Sequence, residues 1–317
     1  MLKLKERLKV MVFLVLFTLT SCSDDFDELQ IINKPISFID KNTIVYQSAE
    51  GHLGWRIKLL SSDLTQSYMI TSGPADFVPE WSPDKKWIVF SRMFNPNNVS
   101  RIWKMRYDGE EKKALTPIDK DCNDPKISPD GKTIIFNVVI NNRKQICAID
   151  TNGNNWRQLT NDSLNPFKDR TIFAWADFSP DGKRIILTYY KAGTDQEGLG
   201  ILNIETNELT HISQADQYSP YSARWSPVRD EVVFVGTIPN GTGPKLFRMN
   251  IDGSDIKMLT DAWGSFAPDW SSDGSMIAYT STNGLDDYTR IWTMNRDGSN
   301  KKLVIEIKEA HVTDPSW

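Results

Sequence analysis

The stretch Asp124–Thr160, "DPKISPDGKTIIFNVVINNRKQICAIDTNGNNWRQLT", contains the pattern that decides the fold. It runs through a Ser-Pro-Asp-Gly turn, a branched apolar segment, an alternating segment and an Asn-Gly turn, and it closes on Leu-Thr. Proline presets φ for a tight turn and Asp-Gly supplies the bend. Short apolar runs between such turns are typical of β-hairpins. The stretch therefore predicts four short antiparallel strands in sequence.

The same unit recurs along the chain as "PEWSPDKKWIVFSR", "ADFSPDGKRIILTY", "ARWSPVRDEVVFVG" and "PDWSSDGSMIAYTS". The five copies, aligned on the second turn position, are 45 to 51 residues apart. The aligned residues are Pro83, Pro129, Pro180, Pro227 and Ser272. A period in the forties with four strands per unit is the pattern of a β-propeller blade.

A sixth unit is present at the N-terminal end, where "ISFIDKNTIVYQS" (Ile36–Ser48) has a shortened turn. The other end of the chain, "VTDPSW", reads as the opening strand of a further unit. We expect this strand, Thr313–Trp317, to become the innermost strand of the blade formed by residues 43–71, because this closure leaves no exposed sheet edge. The sequence thus predicts an all-β, six-bladed β-propeller of four-stranded antiparallel blades. Seven blades with one incomplete is the open alternative.

These motifs resemble those of the TolB-type propeller family, whose repeat centres on "PxWSPDGxxIxF" followed by "IWxMxxDG". Here they stand as "PEWSPDKKWIVF" and "RIWKMRYDG", and the resemblance covers residues 36–317. It implies the propeller fold and a TolB-like interaction module. TolB itself carries an α/β domain ahead of its propeller and is periplasmic. Only about a dozen residues separate Cys22 from the first blade here, so the resemblance implies a bare-propeller lipoprotein.

The N-terminus has the features of a secretion signal. Four basic residues precede an apolar run, Val10–Thr20, that is too short to span a bilayer. The run ends in "LTSC", which resembles a lipobox with Cys22 as the lipidated residue. We therefore predict a signal peptide over 1–21, a lipidated acidic tether over 22–34 and the propeller over 35–317. A chance cysteine beside an ordinary cleavage site is the alternative.

The net charge of the chain argues against some partners, and the lipidation signal predicts the compartment. Cleavage would remove four basic residues and one acidic residue from a chain of net charge −4, leaving −7, so a nucleic-acid partner is not expected. Two or three acyl chains anchor a protein durably. We expect a lipid anchor in a bacterial outer membrane, facing the periplasm or the cell surface. The acidic "SDDFDE" after Cys22 is either a surface-export tag or a solvated linker.

The connections opposite the short turns vary widely in sequence, and variable loops on a rigid scaffold are where binding residues concentrate. Aromatic residues there suit protein hot spots or sugar stacking, or they plug the channel mouth. We therefore predict that this face binds an envelope protein or peptide, with glycan binding as the alternative. The candidate residues are Trp175, Trp263, Phe266, Tyr218, Tyr221 and Tyr288, together with Tyr189 and Tyr190.

One position of each predicted inner strand lies directly before its final aromatic or apolar residue. This position carries charges of alternating sign in five blades and a serine in the sixth. These positions hold Glu80, Lys126, Asp177, Arg224, Asp269 and Ser316. They form either a self-neutralising belt in the channel or a ligand or cation site at its mouth. Carboxylates that could add to a cation site are Asp121, Asp124, Asp162, Asp216, Asp261 and Asp314. No other cofactor is expected.

No catalytic set is recognisable. The three histidines, His52, His211 and His311, occupy unrelated positions, and neither a GxSxG elbow nor a zinc-ligand spacing accompanies them. A related propeller fold, a polyuronate lyase, uses a His-rich metal centre that three scattered histidines do not match. We predict a non-enzyme without a metal site. Cys122 and Cys147 fall on strands about 9.5 Å apart, beyond the roughly 7 Å reach of a disulfide, so both are predicted to be free.

Overall fold

The computed structural model describes residues 39–50, 54–73, 75–94, 99–164, 171–191, 197–238, 241, 243–261, 264–282 and 288–317. All of them lie in one compact unit, Ile32–Trp317. The proposed signal peptide, Cys22 and the acidic tether lie outside the described residues. Within the described part of the chain, no helix is both long and apolar enough to cross a membrane.

The described chain forms six four-stranded antiparallel sheets, which are the blades of a propeller. Blade 1 contains β1 (Ile44–Glu50), β2 (Trp55–Leu60), β3 (Ser67–Met69) and β24 (Ala310–Ser316). Blade 2 contains β4 (Asp76–Trp81), β5 (Trp87–Phe94), β6 (Val99–Arg106) and β7 (Lys113–Ala114). Blade 3 contains β8 (Cys122–Ile127), β9 (Thr133–Ile140), β10 (Arg143–Asp150) and β11 (Arg157–Gln158).

Blade 4 contains β12 (Thr171–Phe178), β13 (Arg184–Lys191), β14 (Glu197–Asn203) and β15 (Glu208–His211). Blade 5 contains β16 (Tyr221–Trp225), β17 (Glu231–Gly236), β18 (Lys245–Asn250) and β19 (Lys257–Met258). Blade 6 contains β20 (Ser265–Trp270), β21 (Met276–Thr282), β22 (Thr289–Asn295) and β23 (Lys302–Ile305). Among the described residues, two short 3-10 helices, Asp162–Leu164 and Ser213–Tyr218, lie between blades.

The C-terminal strand closes the ring. Strand β24 pairs antiparallel with β1, in the sheet order β24-β1-β2-β3. Blade 1 is therefore built from both ends of the propeller sequence, and both the six-bladed prediction and the predicted closure are confirmed. The closing strand begins at Ala310, three residues earlier than the sequence suggested.

The Ser-Pro-Asp-Gly turns are held by their own side chains. In blade 3, Ser128 Oγ donates to Asp130 Oδ1 over 2.6 Å and accepts the N–H of Thr133 over 2.9 Å. Gly131 adopts φ +70°, a left-handed conformation that glycine adopts at little cost. The first and second strands of every blade meet at this face of the ring, as do the third and fourth. We call it the turn face, and the opposite one the loop face.

The threonine that ends the fourth strand region makes the same hydrogen bond in several blades. In blade 3, Thr160 Oγ1 accepts the N–H of Ile146 over 2.8 Å, so the side chain completes the sheet where the short outer strand ends. The same bond joins Thr116 to Ile102 over 3.0 Å and Thr260 to Leu246 over 2.9 Å. Blade 1 repeats it through Thr71. The threonine therefore stands in for a further backbone partner.

Apolar side chains pack between neighbouring blades. For example, Ile135 of blade 3 shares a buried cluster with Phe178 of blade 4. Cys122 and Cys147 lie within the blade 2–3 cluster; both are free, as predicted, and both are buried. Burial raises the pKa of each thiol to about 12, so neither is a reactive thiolate at neutral pH.

Candidate binding site at the channel mouth

The innermost strand of each blade lines the central channel and contains a β-bulge. The pairing register shifts at the same place in all six blades. One residue in each bulge has positive φ; these six residues, which we call the bulge ring, are Val78, Asp124, Trp175, Ser222, Ala267 and Asp314. A bulge re-aims a side chain, so this ring sets what the channel presents near the loop face.

The predicted charged ring lies two residues deeper in the same strands, and its members tie neighbouring blades together. Lys126 forms an ion pair with Glu80 of the preceding blade. The carboxylate of Asp177 accepts the N–H of Trp225 over 2.8 Å, and Asp269 accepts that of Trp317 over the same distance.

Two further contacts extend this pattern. Ser316 Oγ accepts the N–H of Trp81 over 3.2 Å. Arg224 Nε donates to the carbonyl oxygen of Pro268 over 3.3 Å. The ring thus includes one direct ion pair, and its other described contacts are mainly to backbone groups of the next blade. Polar groups in a recessed site are satisfied in this way.

The bulge ring and the charged ring together carry more carboxylates than cations. Their acidic residues are Glu80, Asp124, Asp177, Asp269 and Asp314, against Lys126 and Arg224. Burial raises the pKa of Asp314 to about 6, and the nearby carboxylate of Asp124 adds to the rise. Burial likewise raises the pKa of Asp269 to about 6, with a further contribution from Glu80. Burial alone would lower the pKa of Arg224, but the carboxylates of Asp177 and Asp269 outweigh it and raise it.

An aromatic patch borders the channel between blades 4 and 5. The ring of Trp175 stacks near Tyr190 with centroids 6.4 Å apart and lies 5.7 Å from Tyr221. All three residues are partly exposed. Trp175 was predicted in a loop, but it lies inside β12 at the bulge, with φ +50°. Tyr221 likewise begins β16. We call Trp175, Tyr190 and Tyr221 the aromatic patch.

The other predicted aromatic residues have different surroundings. Tyr218 packs on Phe247, with ring centroids 4.6 Å apart. Phe266 is the second residue of the blade 6 inner strand and packs against the cluster between blades 5 and 6. Tyr288 lies beside His311 at 5.5 Å, and Tyr189 is fully buried. Trp263 lies outside the described residues. Among the predicted aromatic residues that the structure describes, only Trp175, Tyr190 and Tyr221 are brought into one patch.

The histidines and the carboxylates do not form a metal centre in the described part of the chain, where no group of three or more His, Cys, Asp or Glu side chains could hold an ion. His211 pairs with Asp216 at 2.9 Å on the exposed surface. Asp124 instead accepts a hydrogen bond from Asn137 Nδ2 over 2.5 Å. His52 lies outside the described residues.

The bulge ring was not anticipated from the sequence, although a signal for it exists. In four blades the positive-φ residue is followed by proline: Pro79, Pro125, Pro268 and Pro315. Proline disfavours the right-handed helical region for the residue before it. A proline inside a strand also marks a bulge. Blades 4 and 5 have alanine there, Ala176 and Ala223, so the signal is incomplete.

The fold and this channel define a β-propeller built from TolB-type repeats. The family model for the TolB beta propeller domain, PD40, matches residues 122–317. The chain belongs to this family.

Among curated proteins, the chain is 22% identical over 258 residues to the Tol-Pal system protein TolB of Francisella tularensis subsp. mediasiatica. That match covers 67% of this chain and 58% of the relative, so the chain spans a little over half the length of the relatives it matches. The crystal structure of TolB from Acinetobacter baumannii superposes with a TM-score of 0.70 at 21% identity, over 87% of this chain and 66% of that one. Oligogalacturonate lyase from Vibrio parahaemolyticus gives a TM-score of 0.52 at 15% identity, over 84% and 73%. At these identities the structural likeness concerns the fold alone.

Proposed function

We propose that the protein is a lipid-anchored envelope protein whose propeller binds a protein or peptide segment at the loop-face mouth of its channel. The observation that carries this proposal is the aromatic patch: three partly exposed rings, two of them on inner strands, converge beside a charged channel. Rigid aromatic residues next to buried charges are the composition of interaction hot spots. Membership in the TolB propeller family and the curated relatives' role in the Tol-Pal system favour a protein partner over a substrate.

The test is crosslinking and affinity capture from intact envelopes with the full-length protein. The double variant Trp175→Ala, Tyr221→Ala should lose the partner that the wild type captures. Trp156→Ala is the matched control, because Trp156 is 38% exposed on the outer edge of blade 3, away from the channel. Equal capture by the wild type and the double variant would contradict the proposal.

The anchor is tested separately. Mass spectrometry of the mature N-terminus should find acyl chains on Cys22, and Cys22→Ser should release the protein from membranes. Membrane association of the Cys22→Ser form at the wild-type level would exclude lipid anchoring through this residue. This result would leave the channel-mouth proposal standing.

Glycan binding is the second candidate, since faces of tryptophan and tyrosine also stack on sugars. Titration with a panel of oligosaccharides should then change the tryptophan fluorescence of the wild type but not of Trp175→Ala. A flat response across the panel would remove this candidate. A lyase reaction is the least favoured reading, and an assay on uronate oligosaccharides with and without divalent metal checks it.

A further inference from the structure

One crevice on the turn face is open. It lies between blades 2 and 3 and encloses about 260 Å³. Its apolar walls are Trp87 and Val89 of blade 2, Ile127 of blade 3, and the turn prolines Pro83 and Pro129. An apolar cavity of about 150 Å³ is large enough for benzene, so this crevice has room for a one- or two-ring molecule.

The opening arises because blade 3 departs from its repeat. Four blades have an aromatic residue at the last inner-strand position and blade 1 has one directly after it, and each packs against the preceding blade. They are Trp81, Phe178, Trp225, Trp270 and Trp317. Blade 3 has Ile127 instead. The crevice therefore lacks the ring that the repeat places at the other junctions.

A second position widens the same crevice. In five blades, the residue that follows the third strand donates its N–H to a carbonyl oxygen in the turn between the first and second strands. These residues are Tyr107, Thr151, Ile204, Ile251 and Arg296. Four of these side chains are large, and in blade 6 Arg296 reaches back to pair with Glu231 of blade 5. Blade 3 has Thr151, whose short side chain lines the crevice.

The wall also supplies one cationic group. Lys104 Nζ lies 4.1 Å from the centre of the Trp87 ring and 3.4 Å from the carbonyl oxygen of Thr151. The carboxylates at the rim of the crevice accept hydrogen bonds from the serines of their own turns. Asp84 accepts from Ser82 Oγ over 2.7 Å, and Asp130 accepts from Ser128 Oγ over 2.6 Å. Lys104 is thus the cationic donor among the lining residues, and the carboxylates of Asp84 and Asp130 lie at the rim of the same crevice.

We propose that this crevice is a second binding site, on the turn face, for a small free molecule made of one or two aromatic rings with an anionic group directed at Lys104. The ring takes the volume that tryptophan or phenylalanine fills at the other junctions. A flat apolar body matches the walls of Trp87 and Ile127, and an ammonium beside an indole favours a negatively charged substituent. This site is independent of the partner proposed for the channel mouth.

The test is ligand-observed NMR with indole-3-acetate and indole, using the full-length protein in detergent. Indole-3-acetate should bind the wild type, and indole should bind more weakly. Two variants fill the volume with residues that other blades carry at these positions: Ile127→Trp, as in blade 6, and Thr151→Ile, as in blades 4 and 5. Each should weaken binding by at least about tenfold. Ile118→Trp is the matched control, since Ile118 is 70% exposed in the connection before β8, on the loop face. It should bind like the wild type.

Lys104→Met tests the charge without removing the side-chain stem. It should reduce indole-3-acetate binding to the level of indole and leave indole binding unchanged. Circular dichroism melts show that each variant is folded. No binding to the wild type at millimolar concentration, or equal binding by Ile127→Trp, would overturn the proposal. Tighter binding of N-acetyltryptophanamide than of either free probe would overturn it as well, in favour of a peptide side chain as occupant.

Discussion

The junction between blades 2 and 3 and the junction between blades 5 and 6 use the same repeat positions with different residues. At the second junction, the carboxylate of Glu231 is held by Arg248 of its own blade and Arg296 of the next. Trp270 packs in the apolar cluster between blades 5 and 6. At the first junction the corresponding positions carry Trp87, Lys104, Thr151 and Ile127, and a cavity remains.

The difference shows how a repeat fold acquires local function. The same backbone hydrogen bond is present at both junctions. The N–H of Arg296 donates to the carbonyl oxygen of Ser275, and the N–H of Thr151 donates to the carbonyl oxygen of Lys132. Only side-chain volume and charge differ. One junction is filled and stabilising, and the other is left open at a cost in packing.

The largest effect is expected from Glu231→Gln. Glu231 is 2% exposed and lies between two guanidinium groups, so neutralising it leaves the buried Arg248 with only the partly exposed Asp255 as counter-charge. The free energy of unfolding should fall by about 3 kcal/mol, measured by urea denaturation. Glu306→Gln is the control, because Glu306 is 51% exposed in its pair with Arg290 and should cost less than about 1 kcal/mol. Equal losses would contradict the argument.

The ion pairs of Glu231 with Arg248 and Arg296 also predict that the free energy of unfolding depends on pH. Burial would raise the pKa of Glu231, but hydrogen bonds from Arg296 and Arg248 outweigh it and lower the pKa below its usual value. The folded state therefore holds this proton less tightly than the unfolded state, and the stabilisation is present above the unfolded pKa near 4.5. It should decline as the pH falls through the folded pKa. The stability difference between wild type and Glu231→Gln should shrink at acid pH, and a difference independent of pH would exclude the charge as its source.

Trp270→Ile should open the junction between blades 5 and 6 in the same way as the junction between blades 2 and 3 is open. The substitution removes a side chain that is 4% exposed and should lower the free energy of unfolding by about 2 kcal/mol. A crystal structure of the variant should contain a new crevice beside Glu231. Collapse of the neighbouring side chains into that volume would show that Ile127 alone does not explain the cavity of blade 3.

Ile127→Trp is the reverse experiment. Filling the crevice buries additional apolar surface, so the free energy of unfolding should rise by about 1 kcal/mol. Thermal melts and urea denaturation measure the gain. A loss would mean that Trp87 and Lys104 leave too little room for an indole, and that the crevice suits a smaller ring.

Lys104→Met should have the smallest effect. The contact of its ammonium with Trp87 is favourable, but burial lowers the pKa of Lys104, so the charged form also pays for desolvation. These contributions oppose each other, and we expect a change within about 0.5 kcal/mol. A loss comparable to that of Glu231→Gln would show that Lys104 is a structural residue.

Much of the fold could be predicted because its determinants are local. The Ser-Pro-Asp-Gly turns fix where strands reverse, and the unmatched strand ending at Trp317 indicates ring closure. The aromatic patch could be predicted only in part. Its residues are far apart in sequence, and Trp175 reaches the mouth through a bulge that lacks a proline signal in that blade.

The crevice illustrates the same limit. Ile127 is visible in the sequence as the one inner-strand residue of its kind that is not aromatic. Whether a missing ring leaves a cavity depends on side chains of another blade and of a distant turn. Trp87 and Thr151 decide this, and neither is recognisable without the three-dimensional arrangement.

The pairing of β24 with β1 has a consequence for biosynthesis. Within the propeller, β1, β2 and β3 are synthesised before the strands of the other five blades, and β24 is synthesised after them. Until β24 leaves the ribosome, β1 keeps an unpaired edge that another chain could occupy. A propeller closed in this way therefore benefits if its first blades stay unfolded until β24 has been synthesised, since early folding of those blades would expose that edge.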